Sequence, residues 1–237
     1  MRPDVVALKQ FYERPLGATV ATLIARRLHD LWPHTNGLHV AGLGYAVPYL
    51  DAYAERAASI AALMPASQGV VHWPSQATSR VGLVEEACLP LPDSSFDRVL
   101  LTHALEMAEN PGALLREVWR VLASDGRLIV VVPNRRSIWS ELERTPFGHG
   151  RPYSRRQLSD MLGSHLLAPT RWTAVLHLPP IERFGMVRAL TAMDGLGRRW
   201  WRRLGGVLVM EAEKQLYGGV LAGARRRAPV VAVAGPR

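Results

Sequence analysis

The chain reads as an α/β fold, a mostly parallel sheet with helices on both faces, and three observations predict it. Apolar runs at 38–41, 59–63, 81–84, 99–101 and 128–132 are too short for helices and continuous enough to be strands buried on both faces. Segments of helical periodicity separate several of them. Strand, helix and strand at this spacing make a right-handed crossover unit, and such units stack into a parallel sheet.

Taken in order, Asp4 to Leu31 predicts one or two helices broken near Pro15-Leu16-Gly17, with Val20, Leu23, Ile24 and Leu28 on one face. His34-Thr35-Asn36-Gly37 is a turn. Leu38 to Ala41 is the first strand, Val47 to Arg56 the first crossover helix, Ser59 to Leu63 the second strand and Val81 to Val84 the third. The turn cluster Pro92-Asp93-Ser94-Ser95 precedes a fourth strand at Val99 to Leu101. Asn110 caps a helix with Pro111 in its first position; Leu114, Leu115, Val118, Trp119 and Leu122 recur on one side, and Asp125-Gly126 is expected to stop it. Leu128 to Val132 is the fifth strand. The long connection Asn134 to Gly150 has the length of a lid or binding loop. Ser154 caps a helix from Arg155 to Leu162, a sixth strand lies around Trp172 to Leu178, Ile181 to Leu204 is helical, and Val207 to Leu216 is a seventh, antiparallel strand.

Length and composition suit a single domain over 1–237, with a helical extension at 1–33, a core at 34–178, and a last helix, strand and basic tail at 179–237. The only cysteine, Cys88, excludes an internal disulfide and a multi-cysteine zinc site. Asp4, Lys9 and Glu13 interrupt the apolar N-terminus, so it does not read as a signal peptide, and no apolar stretch is long enough to cross a membrane; a cytoplasmic protein is expected. The net charge is +9, nearly all of it arginine, since Lys9 and Lys214 are the only lysines. A basic surface steers a protein toward RNA, acidic protein or anionic lipid, yet no stacking motif of an RNA module is present and the arginine pairs also suit solvated faces.

The most specific signal lies between Glu85 and Asn134, where LPLPDSSFD (89–97), THALE (102–106) and RVLASDG (120–126) follow one another. This block resembles the second half of a class I S-adenosylmethionine-dependent methyltransferase domain of the type 11 kind. That family has an LPFPDxSFD loop before strand four, a His-Leu-Glu-His-like segment after it and a helix ending RVLxPGG. The resemblance covers about residues 20–178 and implies a Rossmann-like, seven-stranded, mostly parallel sheet with an antiparallel last strand. It also implies S-adenosyl-L-methionine as cofactor and methyl transfer as activity, with the acceptor open.

In such a sheet the cofactor crevice lies at the carboxyl ends of the strands, beside the first strand-helix turn, here Val40-Ala41-Gly42-Leu43-Gly44-Tyr45-Ala46. Gly42 and Gly44 let backbone amides approach a ligand, although a tight turn alone would also select glycine. The family pattern resembles DxGxGxG; Val40 stands at its acidic position and Ala46 at its third glycine. Met64 occupies the end of strand two, where relatives place the acid that binds the ribose hydroxyls. A charge-assisted hydrogen bond contributes roughly 1.5–3 kcal/mol, so both losses weaken cofactor anchoring.

By the same resemblance, Glu85 or Glu86 meets the adenine amino group, and Thr102, His103 and Ala104 face the methionine end. Tyr45 suits the sulfonium or packing; His72 and Trp73 suit the adenine side or a structural role. His103 is the candidate base at the end of strand four, with packing as the plain alternative. Within Thr145-Pro-Phe-Gly-His-Gly-Arg-Pro-Tyr-Ser154, His149 suits proton traffic, Arg151 an anion and Tyr153 a hydrogen bond to the acceptor, or the loop is a rigid tie. Two functions compete: a methyltransferase with altered anchors, or a catalytically inactive binding or scaffold subunit. A small zinc-ribbon activator protein, of the kind some members of this fold require, would reconcile them. The methyltransferase reading requires the crevice beside Gly42 and Gly44 to hold the cofactor, and so not to be filled by the chain's own side chains.

Overall fold

The computed structural model describes residues 3–75, 77–177, 180 and 205–216. Among them, β1 (His39–Gly44), β2 (Ser59–Pro65), β3 (Val81–Val84), β4 (Phe96–Thr102), β5 (Leu122–Pro133), β6 (Leu167–Val175) and β7 (Val207–Lys214) form one sheet in the order β3-β2-β1-β4-β5-β7-β6. The strands from β3 to β5 are parallel, and β7 runs antiparallel to both β5 and β6. The expected antiparallel last strand is therefore present. The strand order reverses between β1 and β4, which places the crevice of an open α/β sheet above their carboxyl ends.

Helices cover both faces. On one side α1 (Val5–Glu13), α2 (Pro15–Leu31) and α3 (Val47–Ala54) bury Leu8, Val20, Leu23, Ile24 and Leu50 against Leu100, Ile129, Val131 and Val209. On the other, α4 (Pro111–Val121) and α5 (Arg155–Ser164) bury Leu114, Leu115, Val118, Leu158 and Leu162 against Leu101, Leu128, Val130 and Val132. Consecutive residues of β5 enter opposite cores, which is why this run is continuously apolar. The caps follow the sequence: Asn110 accepts from the Ala113 amide at the start of α4, and Ser154 forms a reciprocal capping box with Gln157 on α5.

Several boundaries differ from expectation. The break near Pro15 is a corner at Arg14, with Pro15 opening α2. Helix α4 ends at Val121, and Asp125-Gly126 lies inside β5, because Leu122 already pairs with Phe96 across a bulge. Strand β6 begins at Leu167 and ends at Val175, shifted toward the N-terminus by its pairing with β7. The helix expected at 181–204 and the basic tail beyond 216 lie outside the described residues. No helix among the described residues is long and apolar enough to cross a membrane.

Candidate active site

The glycine turn is partly strand. Gly42 and Gly44 belong to β1, and Gly44 pairs with Thr102 of β4 at a positive φ of 86°. A Cβ on Gly44 would stand 2.2 Å from the Thr102 carbonyl oxygen, and one on Gly42 would stand 2.6 Å from the Ala46 Cβ. Close protein contacts thus require both glycines, whatever else they admit. Ala46 caps α3 with φ −91°, a value its methyl group tolerates.

The crevice above them is filled, contrary to the expectation of an open site. Helix α1 lies across it. At its start the Val5 amide donates to the Gln68 carbonyl at 2.8 Å, while the Gln68 side-chain amide donates to the His103 carbonyl. Toward its end the Tyr12 hydroxyl bonds His103 Nε2 at 2.8 Å and the Tyr49 hydroxyl at 3.0 Å. Tyr12 also stacks on Tyr45, with centroids 5.7 Å apart, and Phe147 packs 4.9 Å from the His103 ring. Tyr45, Ala46, Met64, Thr102 and His103 are all buried, and Met64 Sδ accepts from the Val71 amide. Burial, then the neighbouring Tyr49, pushes the Tyr12 hydroxyl well above its ordinary pKa; burial, then Glu13, pushes Tyr45 up to about 12. The physical reason for the filling is apolar: Val5, Leu8, Phe11 and Tyr12 are the buried residues of α1, and burying an apolar side chain contributes roughly 1.5–3 kcal/mol.

Around the end of β4 lie buried polar atoms without partners. Glu106 is 1% exposed and neither of its oxygens forms a hydrogen bond; Oε1 stands 3.4 Å from His103 Nδ1. The Thr102 hydroxyl is also buried and unpaired. His103 itself adopts a positive φ of 52°, a strained value for a non-glycine residue. Sequence reasoning passed over Glu106. Its one signal was being the sole acid in the apolar run from Val99 to Ala108.

The adenine-side candidates lie elsewhere, in the open. A cleft of about 250 Å³ at the carboxyl ends of β2 and β3 is lined by Pro65, Ala66, Ser67, Val84, Glu85, Glu86 and Asn110, among others. Glu86 accepts from the Glu109 amide at 3.2 Å. His72 is exposed, and Trp73 is buried with its indole N–H on Asp51. On the remaining side His149 Nε2 is 2.7 Å from the Glu143 carbonyl, Tyr153 is buried and bridges Asn134, and Arg151 is exposed with its amide donating to the Glu106 carbonyl. These three do not converge on His103 as a cluster of side chains, though Phe147 and Gly150 of the same loop touch His103 and Glu106. No group of acids, histidines and cysteines among the described residues has metal-binding geometry.

Residues 39–130 match the family model of the methyltransferase domain. No curated protein matches the chain. Among solved structures, a Thermotoga maritima S-adenosylmethionine-dependent methyltransferase, described as a possible histamine N-methyltransferase, superposes with a TM-score of 0.60 at 16% identity, over 87% of this chain and 94% of that one. A Haloferax volcanii complex of the Trm112 methyltransferase activator with a putative methyltransferase gives 0.58 at 16% identity, over 81% and 89%. A Burkholderia thailandensis 1,6-didemethyltoxoflavin-N1-methyltransferase with bound S-adenosylhomocysteine gives 0.52 at 17% identity, over 86% and 79%. Sheet order and these matches agree: residues 39–130 match the methyltransferase domain, and the chain has the fold of the class I methyltransferases.

Proposed function

We propose that the chain transfers a methyl group from S-adenosylmethionine to an acceptor, and that the described arrangement is its closed state. The observation that carries this reading is the open cleft at the carboxyl ends of β2 and β3, which presents Glu85 and Glu86 where the fold receives an adenosyl group. The residues fit the cofactor by chemistry at both ends and by space at one. The adenosine end has its cleft and its acids. At the methionine end Tyr12 must leave before anything enters, while the unpaired Thr102 and Glu106 side chains would accept hydrogen bonds there.

When bound, the cofactor supplies an electrophilic methyl carbon; the chain's task is to position a nucleophile behind it and receive a proton. His103 Nε2, now engaged by the Tyr12 hydroxyl, is the atom proposed to take that proton, with an acceptor O–H or N–H replacing Tyr12. His149, Arg151 and Tyr153 border the acceptor side, where an RNA or a protein is the substrate class the basic surface favours. Exposing Tyr12 costs about 2–3 kcal/mol. At that cost a fraction on the order of one molecule in a hundred is open, and apparent affinity falls in proportion. A small activator, such as the one on the Haloferax enzyme, would offset that cost by holding the open state.

Isothermal titration of the full chain with S-adenosylmethionine and S-adenosylhomocysteine tests the proposal. Binding accompanied by faster hydrogen exchange in α1 is expected. The second reading, an inactive scaffold, is favoured by the filled crevice together with Val40 and Met64 at the two acid positions. Absence of both heat and thermal protection, with and without a small activator protein, would establish that reading instead.

A further inference from the structure

An isolated buried carboxylate is costly, since desolvation of the charge is repaid only by close partners. Glu106 has none of the hydrogen bonds that would repay it; its neighbour is the strained His103, whose Nδ1 stands 3.4 Å away and whose Nε2 meets the Tyr12 hydroxyl. The other carboxylates near the crevice are either open to solvent or already used: Asp51 takes the Trp73 indole and Glu86 the Glu109 amide. The two acids that relatives use are replaced by Val40 and Met64, both fully buried and apolar.

We propose that Glu106 is the anchor for the ammonium group of the cofactor's methionyl end, in place of the acid missing at Val40. The assignment rests on the methyltransferase reading above. It explains why a buried carboxylate beside His103 is kept without a hydrogen bond: its partner arrives with the ligand. Thr102 stands beside Gly44 in the strand register, and its buried hydroxyl is likewise without a partner.

Calorimetric titration of the full chain with three probes is the test: S-adenosylmethionine, S-adenosylhomocysteine, and 5′-methylthioadenosine, which has the adenosine and thioether but no amino acid. Glu106→Gln is expected to weaken both amino-acid-bearing ligands by about 10–100-fold, the range for a charge-assisted hydrogen bond, and to leave methylthioadenosine unchanged. Equal affinities of variant and wild type for all three would overturn the anchor while leaving cofactor binding intact. A loss confined to S-adenosylmethionine would overturn it too, because the sulfonium and not the ammonium would then be the partner. If the wild type binds none of the probes, the methyltransferase reading itself fails. Should the Gln variant not fold, Glu106→Asp, which keeps the charge one carbon shorter, is read against the same probes, with a selective loss for the two amino acids again expected.

Discussion

Two carboxylates are buried among the described residues, and they are opposites. Glu211, in the middle of β7, is wholly inaccessible and satisfied on every side: Arg171 donates from Nε at 2.8 Å and from its terminal nitrogen at 3.1 Å, Thr170 at 2.9 Å and the Trp32 indole at 3.2 Å. Arg127 adds its charge at 3.6 Å. Glu106, at the carboxyl ends of the strands, has only an imidazole at 3.4 Å and no hydrogen bond. A charge that ties β6, β7 and α2 together is built with its partners in the chain. A charge left without them is built for something outside the chain, and the contrast separates structural from functional burial without reference to any relative.

Mutation should expose that difference in sign. Glu211→Ala strands the Arg171 guanidinium and the Trp32 indole, and is expected to destabilise the fold by about 3 kcal/mol, the lower end for a broken buried pair because Arg171 is half exposed. Glu106→Gln removes an uncompensated charge and should raise stability by about 1–2 kcal/mol. Chemical denaturation of the two variants measures both; equal losses would show that Glu106 is structural after all. Smaller effects should appear with pH. Burial pushes the Glu211 carboxyl up, but hydrogen bonds from Arg171 and Thr170, with the charges of Arg171 and Arg127, outweigh it and hold it below the ordinary carboxylate range. Its contribution is therefore complete above about pH 4.3 and lost as the pH falls through the lower native value. The tyrosine plug works the other way. Tyr12, Tyr45 and Tyr49 are all raised, chiefly by burial, so their share of stability is complete below about pH 10 and lost as the pH climbs toward 12 and beyond. Alkaline melting followed by phenolate absorbance checks this, and cofactor binding should bring the transition to lower pH by releasing Tyr12.

Local signals carried the fold well. The third strand spans the residues its apolar run marked, and Asn110-Pro111 and Ser154 open helices as their chemistry dictates. Asp125-Gly126 misled because a turn signal near a helix end also suits a bulged strand entry, and only the partner strand decides between them. The site was less legible. Residues 1–33 read as an extension, yet Tyr12 and Phe11 occupy the centre of the crevice, since what an amphipathic helix covers depends on contacts remote in sequence. Glu106 escaped notice for the same reason. A single acid has no periodicity, and its isolation becomes visible only when everything around it is in place.

Gln68 joins three pieces at once: its carbonyl receives the Val5 amide, its side chain holds the His103 carbonyl, and its own amide is bound to Pro65, which lines the nucleoside cleft. The threshold of the open chamber and the bolt of the closed one are therefore the same short loop, so that a guest pressing on the first turns the key in the second.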